Sequence, residues 1–274
     1  RRTVGLIREF EESKKYKISF ESINMRFYDK FKAFVMGDLS QGVNTFGKRI
    51  KIIKTLLRAS HERGYHTNNI FDNKGFKMLV QVKKKVYLTN DEIMLLENAE
   101  LNQRLSRVRD CFLILCYLGL RISDLNSVNK SNIDGGKQKT LHIQMYKTDG
   151  FLSISIIPKA LRIIEKYNYD LPIISESKMN QYIKEAAEVA GINDIIIEDG
   201  LSYKKYEKIT NHTARRTFAT LAFLYSDLEV RDLMRFFGHK KELTFKRYVQ
   251  VQRPIDSSKI IDIFGYNSIL SKVS

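Results

Sequence analysis

Five short stretches of the 274-residue sequence place reactive side chains beside a helix stop or a turn. Arg121 follows Gly119-Leu120, with Asp124 three residues on. Lys147 lies between two alternating apolar runs, and His212 and Arg215 stand three apart. His239 follows Gly238, and Tyr248 comes nine residues later. Guanidinium groups are permanently charged and donate paired hydrogen bonds to oxyanions. Imidazoles exchange protons near neutral pH, a lysine can donate one, and a phenol can attack once deprotonated. Taken singly, each stretch has a plainer reading. Arg121 could pair with Asp124, His212 and Arg215 could be a surface pair, and Gly238-His239 could be a helix C-cap. Lys147 could be a solvated turn residue, and Tyr248 is one of 14 tyrosines.

These groups need elements to bring them together. The chain has only three prolines, so helices should dominate. Apolar spacing predicts helices over Ser22–Met36, stopped by Gly37, and over about Gln41–Arg63, followed by Gly64. Thr89 to Glu92 reads as a capping box opening a helix to about Ala99. Another helix spans Gln103–Leu118 and stops at Gly119. Thr140–Tyr146 and Phe151–Ile156 alternate around Lys147-Thr148-Asp149-Gly150, a hairpin signal. Further helices are expected over Lys159–Tyr167, Lys178–Ala190, from a cap at Asn211 to Tyr225, over Glu229–Phe237 and over Leu243–Val249. The class is therefore mainly α with a small β-hairpin or sheet.

Composition adds a partner. Lys and Arg total 47 against 31 Asp and Glu, a net charge of +16. Such a balance suggests a polyanion: nucleic acid first, an anionic membrane surface second. The excess is uneven. Residues 1–85 hold 20 Lys and Arg against 8 Asp and Glu, a net of +12, and the remainder carries +4. We therefore expect two domains: a helical DNA-binding domain with linker over 1–85, and a second domain over 86–274. On the second predicted helix, Asn44, Lys48, Lys51, Thr55 and Arg58 form a polar and basic stripe. A solvated face is the plainer reading, but the local charge favours phosphate contact. No apolar run is long enough to span a membrane, and no signal peptide opens the chain. Cys111 and Cys116 read as reduced core thiols of a cytoplasmic protein. No Cys/His cluster or Gly-rich phosphate loop is present in the sequence, so no metal or other cofactor is expected. The start on Arg1 rather than Met suggests a piece of a longer protein.

Taken together and in order, the stretches resemble the tyrosine recombinases, or phage-type integrases. That family places an Arg after Gly-Leu, a Lys on a β-hairpin, His-x-x-Arg, Gly-His, and a Tyr about nine residues later. Arg121, Lys147, His212, Arg215, His239 and Tyr248 match it, and the style is that of integrases of bacterial mobile elements. Arg216 stands where many members have a second His, with no expected consequence. The resemblance implies a helical-bundle core-binding domain followed by an α+β catalytic domain. It implies site-specific DNA cleavage and rejoining through a 3′-phosphotyrosyl intermediate, with Tyr248 as nucleophile and neither metal nor ATP. Arg121, Arg215 and His239 would then hold the phosphate, His212 would take the phenol proton, and Lys147 would protonate the leaving 5′ oxygen. The two guanidinium groups should favour the phenolate, and Asp124 should orient its neighbours. The partners would be double-stranded DNA core sites and three further copies of the chain, joined by an apolar C-terminal segment over about 255–274. A host DNA-bending factor or an excision factor could join them, and a full-length protein could carry an N-terminal arm-binding domain. A type IB topoisomerase-like nicking-closing enzyme and a non-catalytic DNA-binding regulator are the alternatives.

Overall fold

The structure, a computed structural model, describes residues 2–83, 85–144, 151–239, 241–249 and 251. The chain divides into two compact units, Arg1–Lys83 and Lys84–Ser274.

The first unit is helical. Helix α1 spans Arg2–Lys14, α2 spans Met25–Ala33 and runs into a π-helical turn at Phe34–Asp38, and α3 spans Val43–Glu62. Asn24 caps α2 by accepting a hydrogen bond from the Phe27 amide at 3.1 Å. Phe10, Phe27, Phe31, Phe34 and Phe46 form an aromatic core with Ile50, Ile53 and Leu57. Phe10 meets both Phe27 and Phe31 edge-on, with centroids 5.6 and 5.4 Å away. Such pairs add specificity to apolar burial. The sequence reading leaves α1 unmarked. Its inward residues Thr3, Leu6 and Phe10 make too thin a stripe to stand out before the core is known. After α3 the chain returns across that helix. A Cβ on Gly47 would lie 1.9 Å from the Leu79 carbonyl oxygen, so only glycine permits this crossing.

The second unit is built on α5, Gln103–Leu118, whose second half is almost wholly buried. Around it lie α4 (Asn90–Asn98), α6 (Pro158–Lys166), α7 (Glu176–Val189) and α8 (Asn211–Tyr225). Burial on nearly all sides is why Cys111 to Leu118 reads as a continuous apolar run rather than a stripe. Thr89 and Glu92 form the expected capping box: Thr89 Oγ1 accepts from the Glu92 amide at 3.3 Å, and Glu92 Oε2 accepts from the Thr89 amide at 2.7 Å. Strands β1 (Thr140–Gln144) and β2 (Phe151–Ser155) pair antiparallel, Leu141 opposite Ile154. A second hairpin, β3 (Ile195–Glu198) and β4 (Leu201–Lys204), turns through Asp199-Gly200, both at positive φ. The sequence reading misses it, although Asp-Gly after the β-branched run Ile195 to Ile197 is a hairpin signal. Helices α9 (Val230–Phe237) and α10 (Glu242–Val249) close the unit around Phe223, Phe237 and Phe245. The expected cap at Asn211 moves one residue back. Thr210 is the N-cap, and the Asn211 amide instead donates to Asn180 Oδ1 at 2.7 Å.

Candidate active site

Three chain reversals in the second unit deliver the candidate residues. The first follows α5. Gly119 takes the left-handed conformation, φ 62°, and terminates the helix. Arg121 then opens a 3₁₀ turn at Ile122–Ser127. Its amide donates to Asp124 Oδ2 at 3.2 Å, and the Ser123 hydroxyl donates to Asp124 Oδ1 at 3.0 Å. Buried Asp124 therefore fixes the turn from which Arg121 projects.

The second is the start of α8. His212, Arg215 and Arg216 all lie in its first two turns. Arg215, 3% exposed, donates from Nη1 to the Gly119 carbonyl at 2.5 Å and from Nη2 to the Phe237 carbonyl at 3.2 Å. Both carbonyls belong to helix ends, which carry partial negative charge. The guanidinium is thus locked between α5, α8 and α9. Burial, and then Arg121, pull its pKa down to about 10, so it keeps its charge at neutral pH.

The third is the left-handed Gly238 after α9, φ 64°. The Gly238 and His239 amides donate back to the Arg235 and Met234 carbonyls, a Schellman-type stop that sets the course of His239. Helix α10 follows and carries Tyr248 inward.

Around Tyr248 these reversals converge. The His212 ring meets the phenol edge-on with centroids 5.3 Å apart, and His239 does so at 5.1 Å. Tyr248 is 8% exposed, and its Oη is enclosed without a hydrogen bond of normal geometry. Burial raises its pKa above 10, while Arg215, Arg216 and Arg121 pull the other way. The guanidinium groups thus favour the phenolate as expected, but desolvation outweighs them and leaves the pKa raised. His212 is pushed down to about 4, first by burial and then by Arg216, Arg215, Lys85 and Arg121. It is neutral at pH 7 and has a lone pair to accept a proton. His239 is lowered by burial, Arg215 and Arg121, and its Nδ1 is enclosed without a partner.

Arg216 is the residue that the sequence reading sets aside. It is 7% exposed, and its Cζ lies 5.5 Å from the Tyr248 ring centroid. Lys147 and the 255–274 segment lie outside the described residues. In the first unit, all five stripe residues of α3 are exposed, but three are hydrogen-bonded. Asn44 donates to the Gln81 carbonyl and accepts from the Gln81 amide, both at 2.9 Å. Arg58 donates to Asp72 at 2.7 Å and sits over the Phe71 ring. Thr55 donates back to the Lys51 carbonyl at 3.0 Å. Lys48 and Lys51 are the stripe's lysines. Among the described residues no group of His, Cys, Asp and Glu could hold a metal, and no helix is long and apolar enough to cross a membrane.

The phage integrase family model matches residues 85–254, and the phage integrase SAM-like domain model matches residues 1–78. The chain belongs to the phage integrase family. As such it is a tyrosine recombinase, an enzyme of site-specific DNA recombination. No curated protein sequence matches it. Among solved structures, Tn1549 transposon integrase in complex with a circular intermediate DNA aligns with TM-score 0.70 at 15% identity, over 94% of this chain and 91% of that one. A lambda integrase dimer bound to a core site aligns with TM-score 0.66 at 16% identity, over 92% and 91%. XerH recombinase bound to difH aligns with TM-score 0.63 at 14% identity, over 96% and 78%. At these identities the likeness is one of fold.

Proposed function

We propose that this integrase cuts and rejoins double-stranded DNA through a covalent bond to Tyr248. The observation that carries the reading is the convergence on one phenol of side chains from three separate chain reversals. His212, Arg215 and His239 have little reason to surround a tyrosine unless that tyrosine reacts.

The chemistry follows from the residue types. A phosphodiester carries one negative charge, and attack at phosphorus builds more on the nonbridging oxygens. Donors fixed before the reaction stabilise that charge most where it develops. Arg121 and Arg215 provide guanidinium forks and His239 a ring N–H. Neutral His212 takes the phenol proton as the Tyr248 Oη–P bond forms and the P–O5′ bond breaks. Lys147 returns a proton to the departing 5′ oxygen. The products are a 3′-phosphotyrosyl bond and a free 5′ hydroxyl. A 5′ hydroxyl from another strand then attacks phosphorus, and Tyr248 leaves with its proton restored. The phosphodiester's energy is held in the intermediate, so this sequence requires neither nucleotide nor metal.

The arriving phosphate also answers the raised pKa of Tyr248. The cations that now face an enclosed hydroxyl would share their donors with substrate, and the phenol reaches its reactive state only beside DNA. The first unit grips the duplex with Lys48 and Lys51, which position the protein without reading sequence. The segment over about 255–274 docks on a neighbouring copy to give a tetramer on two core sites. A DNA substrate supports a location in the bacterial cytoplasm.

The test uses nicked duplexes tiled from DNA flanking the gene, from which the cleaved fragment diffuses away. The native chain forms a denaturation-resistant complex with DNA, and Tyr248→Phe binds equally well but forms none. Equal covalent yield from Tyr248→Phe overturns the proposal.

A further inference from the structure

The geometry points to Arg216 as a positioning residue for the Tyr248 phenol, acting through its ring and through the chain at Val86. This rests on the reading of Tyr248 as the nucleophile.

Arg216 is adjacent to Arg215 in sequence but leaves α8 in another direction. Arg215 is taken up by the carbonyls of Gly119 and Phe237. Arg216 Nη1 donates to the Val86 carbonyl at 3.0 Å, where the chain enters the second unit. Its Cζ stands 5.5 Å from the Tyr248 ring centroid, and its buried Nε has no partner. Next door, Thr217 Oγ1 accepts from the Leu88 amide at 2.9 Å, so the entering segment is held at two points by consecutive residues of α8. A guanidinium this deeply buried costs free energy unless its environment repays it. No carboxylate pairs with Arg216 in the described structure; what it touches is a backbone carbonyl and the face of the phenol. A cation over an aromatic face is attracted by the ring's quadrupole, more so when both are desolvated. Arg216 therefore fixes one face of the ring and adds positive potential at Oη.

The other charged or titratable groups facing the phenol are His212 and Arg215 from α8, Arg121 from the turn after α5, and His239 from the turn after α9. Lys85, on the entering segment, bears on His212 and Arg216. Removing the Arg216 charge leaves all of these in place. It also removes one of the cations that favour the phenolate. The rate should then fall, and a cation restored at this position should recover part of it.

The experiment measures single-turnover covalent complex formation by the full chain on the same nicked duplexes. It compares the native chain with Arg216→Met, Arg216→Gln, Arg216→Lys and Tyr248→Phe, with DNA affinity and thermal melting measured alongside. A unit charge about 5 Å away, at an effective dielectric constant of about 20, gives a loss of about a hundredfold for Arg216→Met at pH 7. The proposal expects that loss with DNA affinity unchanged within about twofold, a similar loss in Arg216→Gln, whose amide can still donate to the Val86 carbonyl, and partial recovery by Arg216→Lys, which keeps the charge. A native rate for Arg216→Met overturns it. So does a near-native rate for Arg216→Gln, because that is the signature of a residue that only holds Val86. Should Arg216→Met fail to fold, Arg216→Lys and Arg216→Gln decide: equal rates overturn the proposal, and a faster Arg216→Lys supports it. Native activity in Tyr248→Phe would instead remove the reading beneath it, and so is distinguishable from failure of the Arg216 argument.

Discussion

Replacing Gly119 by alanine tests whether the end of α5 is a precise part of the site or a mere helix stop. Gly119 sits at φ 62°, where a Cβ costs about 1–2 kcal/mol. The new methyl would also lie 2.6 Å from Phe218 Cδ1 and 2.9 Å from Phe236 Cε1. Those two rings are stacked with centroids 5.1 Å apart, so neither can retreat without moving the other. Overpacking of this kind costs about 1–3 kcal/mol. Together the terms give about 2–5 kcal/mol, a large fraction of the stability of an ordinary domain. For a unit of this size each kcal/mol shifts the melting temperature by about 2–4 °C, so a fall of about 4–20 °C is expected. The Gly119 carbonyl is also one of the two acceptors that hold Arg215. Its displacement should lower covalent complex formation about tenfold or more, even at temperatures well below the transition. Calorimetry and the nicked-duplex assay at 20–25 °C read the two effects separately. A melting temperature within about 1 °C of native, with native cleavage, would refute the argument.

Three other outcomes follow from the same geometry. Tyr248→Phe removes a buried hydroxyl whose contact with Arg215 falls short of normal hydrogen-bond geometry, so urea denaturation should show stability changed by no more than about 1 kcal/mol; a larger loss would mean that this contact is a full hydrogen bond. His212 has its pKa lowered from 6.5 to about 4, so between those values the unfolded imidazole holds a proton that the folded one refuses. Stability should therefore fall as pH drops through that window and level off below it, and His212→Gln should flatten the curve measured by pH-dependent melting. Replacing both Lys48 and Lys51 by Gln should weaken DNA binding evenly across sequences and reduce the log–log salt slope by about 2, whereas Thr55→Ala should change it little.

The sequence makes the second unit's helices legible because their punctuation is explicit. Gly119 and Gly238 stop α5 and α9 as their positions promise, and the Thr89–Glu92 box opens α4. The order of Arg121, His212, Arg215, His239 and Tyr248 is equally plain, because their spacing belongs to a known family. What spacing cannot convey is direction. Arg215 and Arg216 are neighbours in the chain, and only their different courses from α8 reveal that one grips helix ends while the other faces the phenol. The sign of the Tyr248 shift was likewise hidden: counting cations predicts a lowered pKa, but burial is a property of the packed core around Phe237 and Phe245. In the first unit the α3 stripe is visible as a pattern. Its division into engaged Asn44 and Arg58 and exposed Lys48 and Lys51 depends on the segments that return over that helix.

The central claim is a covalent bond between DNA and Tyr248, and mapping that bond is its most direct test. The complex formed on a nicked duplex in EDTA, without ATP, is digested with protease and nuclease, and the linked peptide is sequenced by mass spectrometry. The account predicts one modified residue, Tyr248, joined to the 3′ phosphate of the cleaved strand, with a free 5′ hydroxyl on its partner. Attachment at any other residue, or through a 5′ phosphate, would contradict it.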